Sequence, residues 1–393
     1  MLSNEINERL TRVGPGTPAG EMLRRYWQPI AAEAELTEET PKRKVRALCE
    51  DLVLFRDGRG NLGLIEEQCC HRSASLLYGF IEDDGLRCAY HGWKFDCSGE
   101  CIEMPFEDDD APKNLNARQK SYPVQAMGGV IFTYMGPGDP PLLPRWNNLL
   151  REDGVRTVFI LPELDCNWLQ VMENSVDPTH TYYLHAHTLV LKGKGASGSY
   201  YYRPIEKVNF DIVKEDGWCG VTKQRIYGGD DAEQEVGHPL VFPNMLLSPQ
   251  REHLVMHMRL PVDDTHTQII RYQFTPNEDG SPVPQPDVVP FENVPPLTDE
   301  EGVYHMNSFA SHDAMAWESQ GPITDRSREN LGVADKGIAL YRQLLREQID
   351  EVEAGNDPYG TRRDDAHNDI IKMEVSTGQA RVAKASKSEK VEA

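Results

Sequence analysis

The alternation of apolar and polar positions divides the chain into a short helical opening, two strand-rich regions and a closing helix. Leu2, Ile6, Leu10 and Val13 fall at helical spacing, with Ser3 placed to cap the first turn. The run G-P-G-T-P-A-G ends that helix, and Thr17-Pro18 has the form of a cap followed by the first position of another short one. From Val45 the period shortens to that of strands. Val53, Leu54 and Phe55 and then Leu62, Leu64 and Ile65 flank D-G-R-G-N at 57–61, a hairpin turn. A later strand at 129–135 is followed by G-P-G-D-P-P, which marks a boundary. Beyond it, residues 158–161 are apolar, and strand-like runs recur at 200–203, 220–227, 253–259 and 268–274. The seven prolines of 276–296 predict an ordered surface excursion in preference to a lid. Ile338, Tyr341, Leu345 and Val352 predict an amphipathic helix closed by Gly355, and the polar K-A-S-K-S-E-K at 384–390 predicts a disordered tail.

A chain of 393 residues suggests two domains, or one large domain with a smaller one attached. The net charge of −22 argues against nucleic acid or an anionic membrane surface as partner, although a local basic pocket survives inside an acidic protein. No apolar run approaches the ~20 residues of a membrane span. The opening M-L-S-N-E-I-N-E-R-L lacks the apolar core of a signal peptide. Without a secretion signal, the eight cysteines read as reduced thiols or metal ligands. A cytoplasmic protein with no membrane segment is expected.

Two stretches carry chemistry. The first, at 167–187, sets Asp177, His180 and His185 in the register D-x2-H-x4-H. Two imidazoles this close can supply two faces of a metal site, and a carboxylate from elsewhere would complete a 2-His-1-carboxylate triad with open positions for dioxygen chemistry at iron(II). Positions five apart on a regular helix diverge by about 140°. The two rings therefore converge only if the backbone widens between them, by a turn or a π-bulge. The plain alternative is two histidines on a helix face. Nothing in Thr181, Tyr182, Tyr183 or Leu184 dictates a kink, so packing must impose one; Pro178 helps by restarting the chain before the first ligand. Were His187 the second ligand, no bulge would be needed.

The second stretch is E-Q-C-C-H-R-S-A-S-L with L-R-C-A-Y-H-G-W-K-F. Cys69-x-His71 and Cys88-x2-His91 are two Cys/His loops separated by sixteen residues. Two thiolates on one iron and two imidazoles on the other match a Rieske [2Fe–2S] centre, whose potential lies above that of an all-thiolate cluster. A structural Cys2His2 zinc site accepts the same donors. Cys97 and Cys101 read as incidental thiols. Lys192 and the glycines that follow lack the P-loop pattern, which leaves a mobile loop near a pocket mouth.

The joint pattern C-x-H-x16-C-x2-H with H-G-W-x-F, then D-x2-H-x4-H, resembles the oxygenase α subunits of Rieske non-haem iron oxygenases. The opening T-R-V-G-P-G-T-P-A-G-E-M-L-R-R-Y-W is similar to the branch that includes phthalate dioxygenase and dicamba O-demethylase. One departure is Cys70, where the family carries proline or another non-ligand; the C-x-H register favours Cys69. The resemblance implies an α+β fold: an N-terminal helical segment at 1–25, an all-β Rieske domain at 26–145, a catalytic domain at 146–375 with an antiparallel sheet wrapped around a helix, and the tail at 376–393. It implies one Rieske cluster on Cys69, His71, Cys88 and His91, and one mononuclear Fe(II) per subunit on His180, His185 and a third ligand. Among Asp313, Glu318 and Asp325, the spacing seen in related oxygenases selects Asp313, while His312 and His187 read as structural. Asp177 is expected to bridge a mononuclear-iron histidine and a cluster histidine such as His91 of a neighbouring subunit in a homotrimer or stacked trimers.

The function so implied is that of a terminal oxygenase. It would take NAD(P)H-derived electrons from a separate reductase, with or without a ferredoxin, and use O2 to cis-dihydroxylate an aromatic, carboxylated substrate. A monooxygenase that O-demethylates a methoxy-aromatic acid is the alternative. A Rieske electron carrier without catalysis is the reading from another class, and the intact Asp177, His180 and His185 argue against it. Arg203, Arg225, Arg251 and Arg259 are candidate carboxylate partners, against the plain reading of exposed strand arginines.

Overall fold

The computed structural model describes residues 2–188, 205–215, 217–227, 233–249, 253–372 and 382–384. Ser3 caps α1 (Asn4–Thr11) by accepting from the Ile6 amide, and Pro18 opens α2 (Pro18–Arg24). The Thr17 hydroxyl does not cap; it turns back to donate to the Arg12 and Gly14 carbonyls.

An all-β region follows, in three small sheets. β1 (Trp27–Ala32) pairs with β10 (Val130–Tyr134), which pairs with β9 (Val124–Met127). β2 (Lys42–Ala47), β3 (Glu50–Arg56) and β4 (Leu62–Glu66) form a meander whose 57–61 turn is held by Asp57, which accepts from the Arg59 and Asn61 amides. The strands β5 (Phe80–Glu82), β6 (Gly85–Arg87), β7 (Lys94–Phe95) and β8 (Cys101–Glu103) make the third sheet. Val53, Phe55, Ile65, Leu76, Leu86 and Phe95 are fully buried between the last two sheets, and Cys69 and Cys88 belong to the same cluster.

The rest of the chain is α+β, as the family resemblance implies. Eight strands of a larger sheet run along the path β12 (Ile205–Glu215), β13 (Trp218–Tyr227), β14 (Glu233–Val241), β15 (Met245–Pro249), β16 (Leu254–Pro261), β17 (Thr267–Pro276), β11 (Gly154–Ile160) and β18 (Phe291–Asn293). All the pairings on this path are antiparallel except β11 with β18. Alternation along β17 decides what each face does. Ile270, Tyr272 and Phe274 join a core shared with β1 and β10, while Ile269 faces α3 (Trp168–Asn174) and α4 (Phe309–Glu318). The long helix α5 (Lys336–Glu353) buries Tyr341, Leu344, Leu345, Ile349 and Val352 in a core with α1, α2, α3 and β13. Burying each leucine contributes about 1.5–3 kcal/mol. Gly337 permits the closest approach, since a Cβ there would lie 2.4 Å from the Val176 carbonyl oxygen.

One expectation holds here and another changes. The segment 276–296 is an ordered excursion as expected, fixed by hydrogen bonds from Val283 and Gln285 to the 152–154 backbone and ending in strand β18. The tail is not wholly irregular. Residues Val382–Lys384 form a ninth strand of the sheet, β19, antiparallel to Glu233–Glu235 of β14. β15 pairs only with Leu240 and Val241, so the early half of β14 has a ladder edge to offer, and β19 takes it. The strand anticipated at 200–203 and the loop beginning at Lys192 lie outside the described residues.

Candidate functional site

The two Cys/His loops project from the small four-stranded sheet as matching turns. Ser73 donates its amide to the Cys69 carbonyl (2.8 Å), and Gly92 donates to the Cys88 carbonyl (3.0 Å). The second turn needs the left-handed φ of +75° that Gly92 adopts. Cys69 and Cys88 are buried side by side in the apolar core, whereas Cys70 is exposed. Buried Gln119 fixes this choice: its amide oxygen accepts from the Cys70 backbone N–H (2.8 Å), and its amide nitrogen donates to the Glu66 and Gln68 carbonyls. His71 and His91 sit further out, ring centroids 4.5 Å apart, with Trp93 stacked on His71 at 4.3 Å and Tyr90 packed on His91. Two buried thiols beneath two outward imidazoles are the donor distribution that a cluster with one thiolate-bound and one imidazole-bound iron demands. Cys101 is buried in the same core, not incidental to it, with its thiol turned to the Glu103 carbonyl.

The second centre is built from a buried helix, a widened turn and a facing helix. Asn167 caps α3 by accepting from the Leu169 amide (3.0 Å), and α3 ends at Ser175. Asp177 then organises the turn: its Oδ1 accepts from the Thr179 amide (2.9 Å) and hydroxyl (2.6 Å). The backbone over Thr181–His187 is a π-helix, so the expected departure from regular helical winding is present. Its i→i+5 pattern brings His185 back over His180, with ring centroids 5.1 Å apart.

Asp313 reaches this pair from the middle of α4. Its Oδ1 lies 3.2 Å from His185 Nε2 and 3.8 Å from His180 Nε2. One ligand atom from each of the three lies within 4.8 Å of the other two, a spacing that fits one metal ion. The competing acids are engaged elsewhere. Glu318 accepts from the Asp165 amide and the Tyr304 hydroxyl, and Asp325 accepts from the Ser327 amide and hydroxyl. His187 is turned to the Tyr182 carbonyl.

The outer nitrogens of both imidazoles also have partners. His180 Nδ1 lies 3.6 Å from Asp177 Oδ2, and His185 Nδ1 lies 3.2 Å from Nδ1 of fully buried His312. Burial pushes the Asp177 carboxyl up, but His180 and Thr179 outweigh it and hold the group well below the carboxylate range. Asp313 is likewise held down against its burial by His185, His180 and Arg259.

Sequence reasoning took Arg225 and Arg259 as most simply exposed; both are buried. With Lys223 they meet the C-terminal end of α3, where carbonyls lack helical partners. Lys223 donates to the Ser175 carbonyl, Arg225 to the Pro178 carbonyl (3.3 Å), and Arg259 to the Ser175 hydroxyl. Burial lowers Arg259 to about 10, opposed by Asp313. Arg203 and Arg251 lie outside the described residues. His312, Gln170 and Lys223 were not anticipated as site-supporting groups. For His312 the only available signal was its place beside Asp313.

Comparison with known proteins agrees with this architecture. A family model for the Rieske [2Fe-2S] domain matches residues 26–123, and one described as LigXa C-terminal domain like matches 300–393. The 5,5'-dehydrodivanillate O-demethylase oxygenase subunit of Sphingobium sp. is 38% identical, covering 95% of this chain and 86% of that protein. The phthalate 4,5-dioxygenase oxygenase subunit of Pseudomonas putida is 31% identical, covering 92% and 89%. Among solved structures, the terminal oxygenase of carbazole 1,9a-dioxygenase from Nocardioides aromaticivorans aligns with a TM-score of 0.64 at 18% identity, over 88% of this chain and 96% of that one.

Proposed function

Since the chain belongs to the Rieske non-haem iron oxygenases as a terminal oxygenase subunit, we propose that it uses reductant-derived electrons and O2 to oxidise an aromatic carboxylic acid at His180, His185 and Asp313. The observation that carries this reading is the convergence of those three side chains across a π-helix and a facing helix. The bound groups would supply electrons from the cluster and oxygen activation at a mononuclear iron(II) with open coordination positions. Cys69, Cys88, His71 and His91 would hold the cluster, with Cys70 exposed beside Cys69. The unit boundaries we assign are 26–145 for the Rieske domain and 146–375 for the catalytic domain, with the helices of 1–25 packed on the latter.

The protein's own groups set the geometry. His180 and His185 offer Nε2 to the metal, which leaves Nδ1–H on each ring. Asp177 Oδ2, 3.6 Å from the first of these, would hold it electrostatically, and His312 Nδ1, 3.2 Å from the second, would accept from it. Asp177 is still half-exposed, and its free face would receive His91 of the partner subunit in a ring-shaped trimer. Electrons would reach the cluster from an NAD(P)H-dependent reductase, directly or through a ferredoxin. Among the described residues no helix is long and apolar enough to cross a membrane.

Cis-dihydroxylation is the first reading of the outcome. O-demethylation of a methoxy-aromatic acid is the second, favoured by the demethylase relative that covers 95% of the chain. The test is single turnover of the chemically reduced holoprotein with O2 across aromatic acids and methoxy-aromatic acids, scoring cis-diols and formaldehyde. Iron content separates an oxygenase, with three irons per chain, from a carrier with two. Two irons and no product with any acid would sink the proposal.

A further inference from the structure

The face of the sheet toward α3 and α4 carries more positive charge than its own contacts use, within a chain of net charge −22. Lys223, Arg225 and Arg259 are committed to Ser175 and Pro178. Elsewhere the buried arginines are matched to acids: Arg24 to Glu50, Arg326 to Glu173, and Arg342 to Glu173 and Glu329. Arg271 on β17 differs. Its Nη2 donates to Gln273 Oε1 (2.7 Å), its guanidinium lies 4.8 Å over the Phe159 ring, and its buried Nε has no hydrogen-bond partner. It forms no ion pair among the described residues. A half-buried cation without a counter-charge is costly to keep, and burial lowers its affinity for its proton.

Its position is set by register. Arg271 stands opposite His257 on β16 and Phe159 on β11. All three side chains share the face from which Arg259 reaches α3 and packs over Trp317 of α4. Two residues separate this row from the Arg259–Ile269 row, about 7 Å along the strands. Burial and the charges of Arg259 and Arg271 push His257 down to about 3, against the pull of Asp313, so its ring is neutral and able to donate one N–H.

We propose that Arg271, with His257 and Gln273 beside it, is the seat for the substrate's carboxylate. The inference rests on the aromatic-acid reading above and deepens it by naming the residue that selects an anion. A guanidinium already stacked on Phe159 has its edge fixed for in-plane, bidentate contact with a carboxylate, and the Phe159 ring continues as an apolar neighbour for the substrate ring. Arg225 and Arg259 cannot take this role without releasing the end of α3.

The test compares the holoenzyme with Arg271→Leu and Arg271→Lys, after visible spectra and iron content show both centres retained. The probes are whichever benzoate derivative the wild type turns over and its methyl ester, with anaerobic calorimetry giving affinities alongside kcat/KM. Arg271→Leu should weaken acid binding about 10- to 100-fold while changing ester binding less than about threefold. Arg271→Lys should recover part of the loss, since it keeps the charge and not the fork. Equal losses for acid and ester would make Arg271 a packing residue and overturn the inference, as would unchanged acid affinity; in either case the oxygenase reading stands. If the wild type accepts esters and no acids, the aromatic-acid reading fails and the inference with it.

Discussion

At His185 the two ring nitrogens carry different duties, and the second is as constraining as the first. With Nε2 given to a metal, Nδ1 of His185 would carry the proton, so His312 Nδ1, 3.2 Å away, would accept and His312 would hold its own proton on Nε2. Replacing His312 by phenylalanine keeps the volume and removes the acceptor. Mononuclear iron affinity in His312→Phe should fall about 10- to 100-fold with the cluster's absorbance unchanged; equal iron retention on dialysis against a chelator would refute the tautomer assignment. The side chains that converge at the two centres were named from the sequence, the cysteines and histidines by their spacing and Asp313 through the family resemblance. His312 was not, because a histidine next to a ligand looks the same whether its ring turns toward the metal site or away. Arg271 was hidden more deeply: in I-I-R-Y-Q it reads as the polar side of a strand, and only the packing of α3 and α4 against Ile269 shows that this side is covered.

The elements that carry the ligands are fastened to each other by one amide. Gln170, in α3, donates to the Trp317 and Gly321 carbonyls (both 2.8 Å) and accepts from the Thr324 amide and hydroxyl (3.0 and 2.9 Å). It thereby fixes α3, which leads to His180, against the end of α4, which carries Asp313. Gln170→Leu takes this partner from the Gly321 carbonyl and the Thr324 amide, at about 1–3 kcal/mol for each group left without a partner, while the Trp317 carbonyl keeps the Gln320 amide. The expected result is a lower melting temperature and looser mononuclear iron, with the [2Fe–2S] signal intact; simultaneous loss of both centres would show that Gln170 supports the fold at large. Sequence periodicity located α1, α5 and the strands β13, β16 and β17, and the divergence of residues five apart on a regular helix anticipated the π-helix. It could not anticipate β19, whose existence depends on a ladder edge left open by strands far away in the chain.

Across the molecule, one buried acid joins segments that are distant in sequence. Glu173 accepts from Arg326 (2.8 Å) and Arg342 (2.6 Å), and Arg342 also meets Glu329. Burial pushes the Glu173 carboxyl up, but the two guanidinium groups prevail and hold it below its ordinary value. A depressed acid contributes stability that is present above its unfolded value of about 4.3 and is lost as pH falls through the folded value. Glu173→Gln should therefore destabilise the protein by about 3–5 kcal/mol at neutral pH, because two buried cations lose their counter-charge. The gap from wild type should hold down to about pH 5 and narrow below it; a constant difference in melting temperature from about pH 5 to about pH 2 would contradict this account.

The N-terminal helices have a consequence for how the polypeptide is made. Leu2 donates its amide to the Arg326 carbonyl, Asn7 its side-chain amide to the Thr324 carbonyl, and Arg9 pairs with Asp350 and Glu353. These helices thus wait for residues 317 to 344 positions further along the chain before they find their seats. The segment carrying the Cys/His loops closes on local hairpins and can be complete long before. The order of synthesis then separates the two centres in time: the Cys/His loops are ready while Asp313 is still to be translated, and the opening helix fastens only when the supports around Asp313 have arrived.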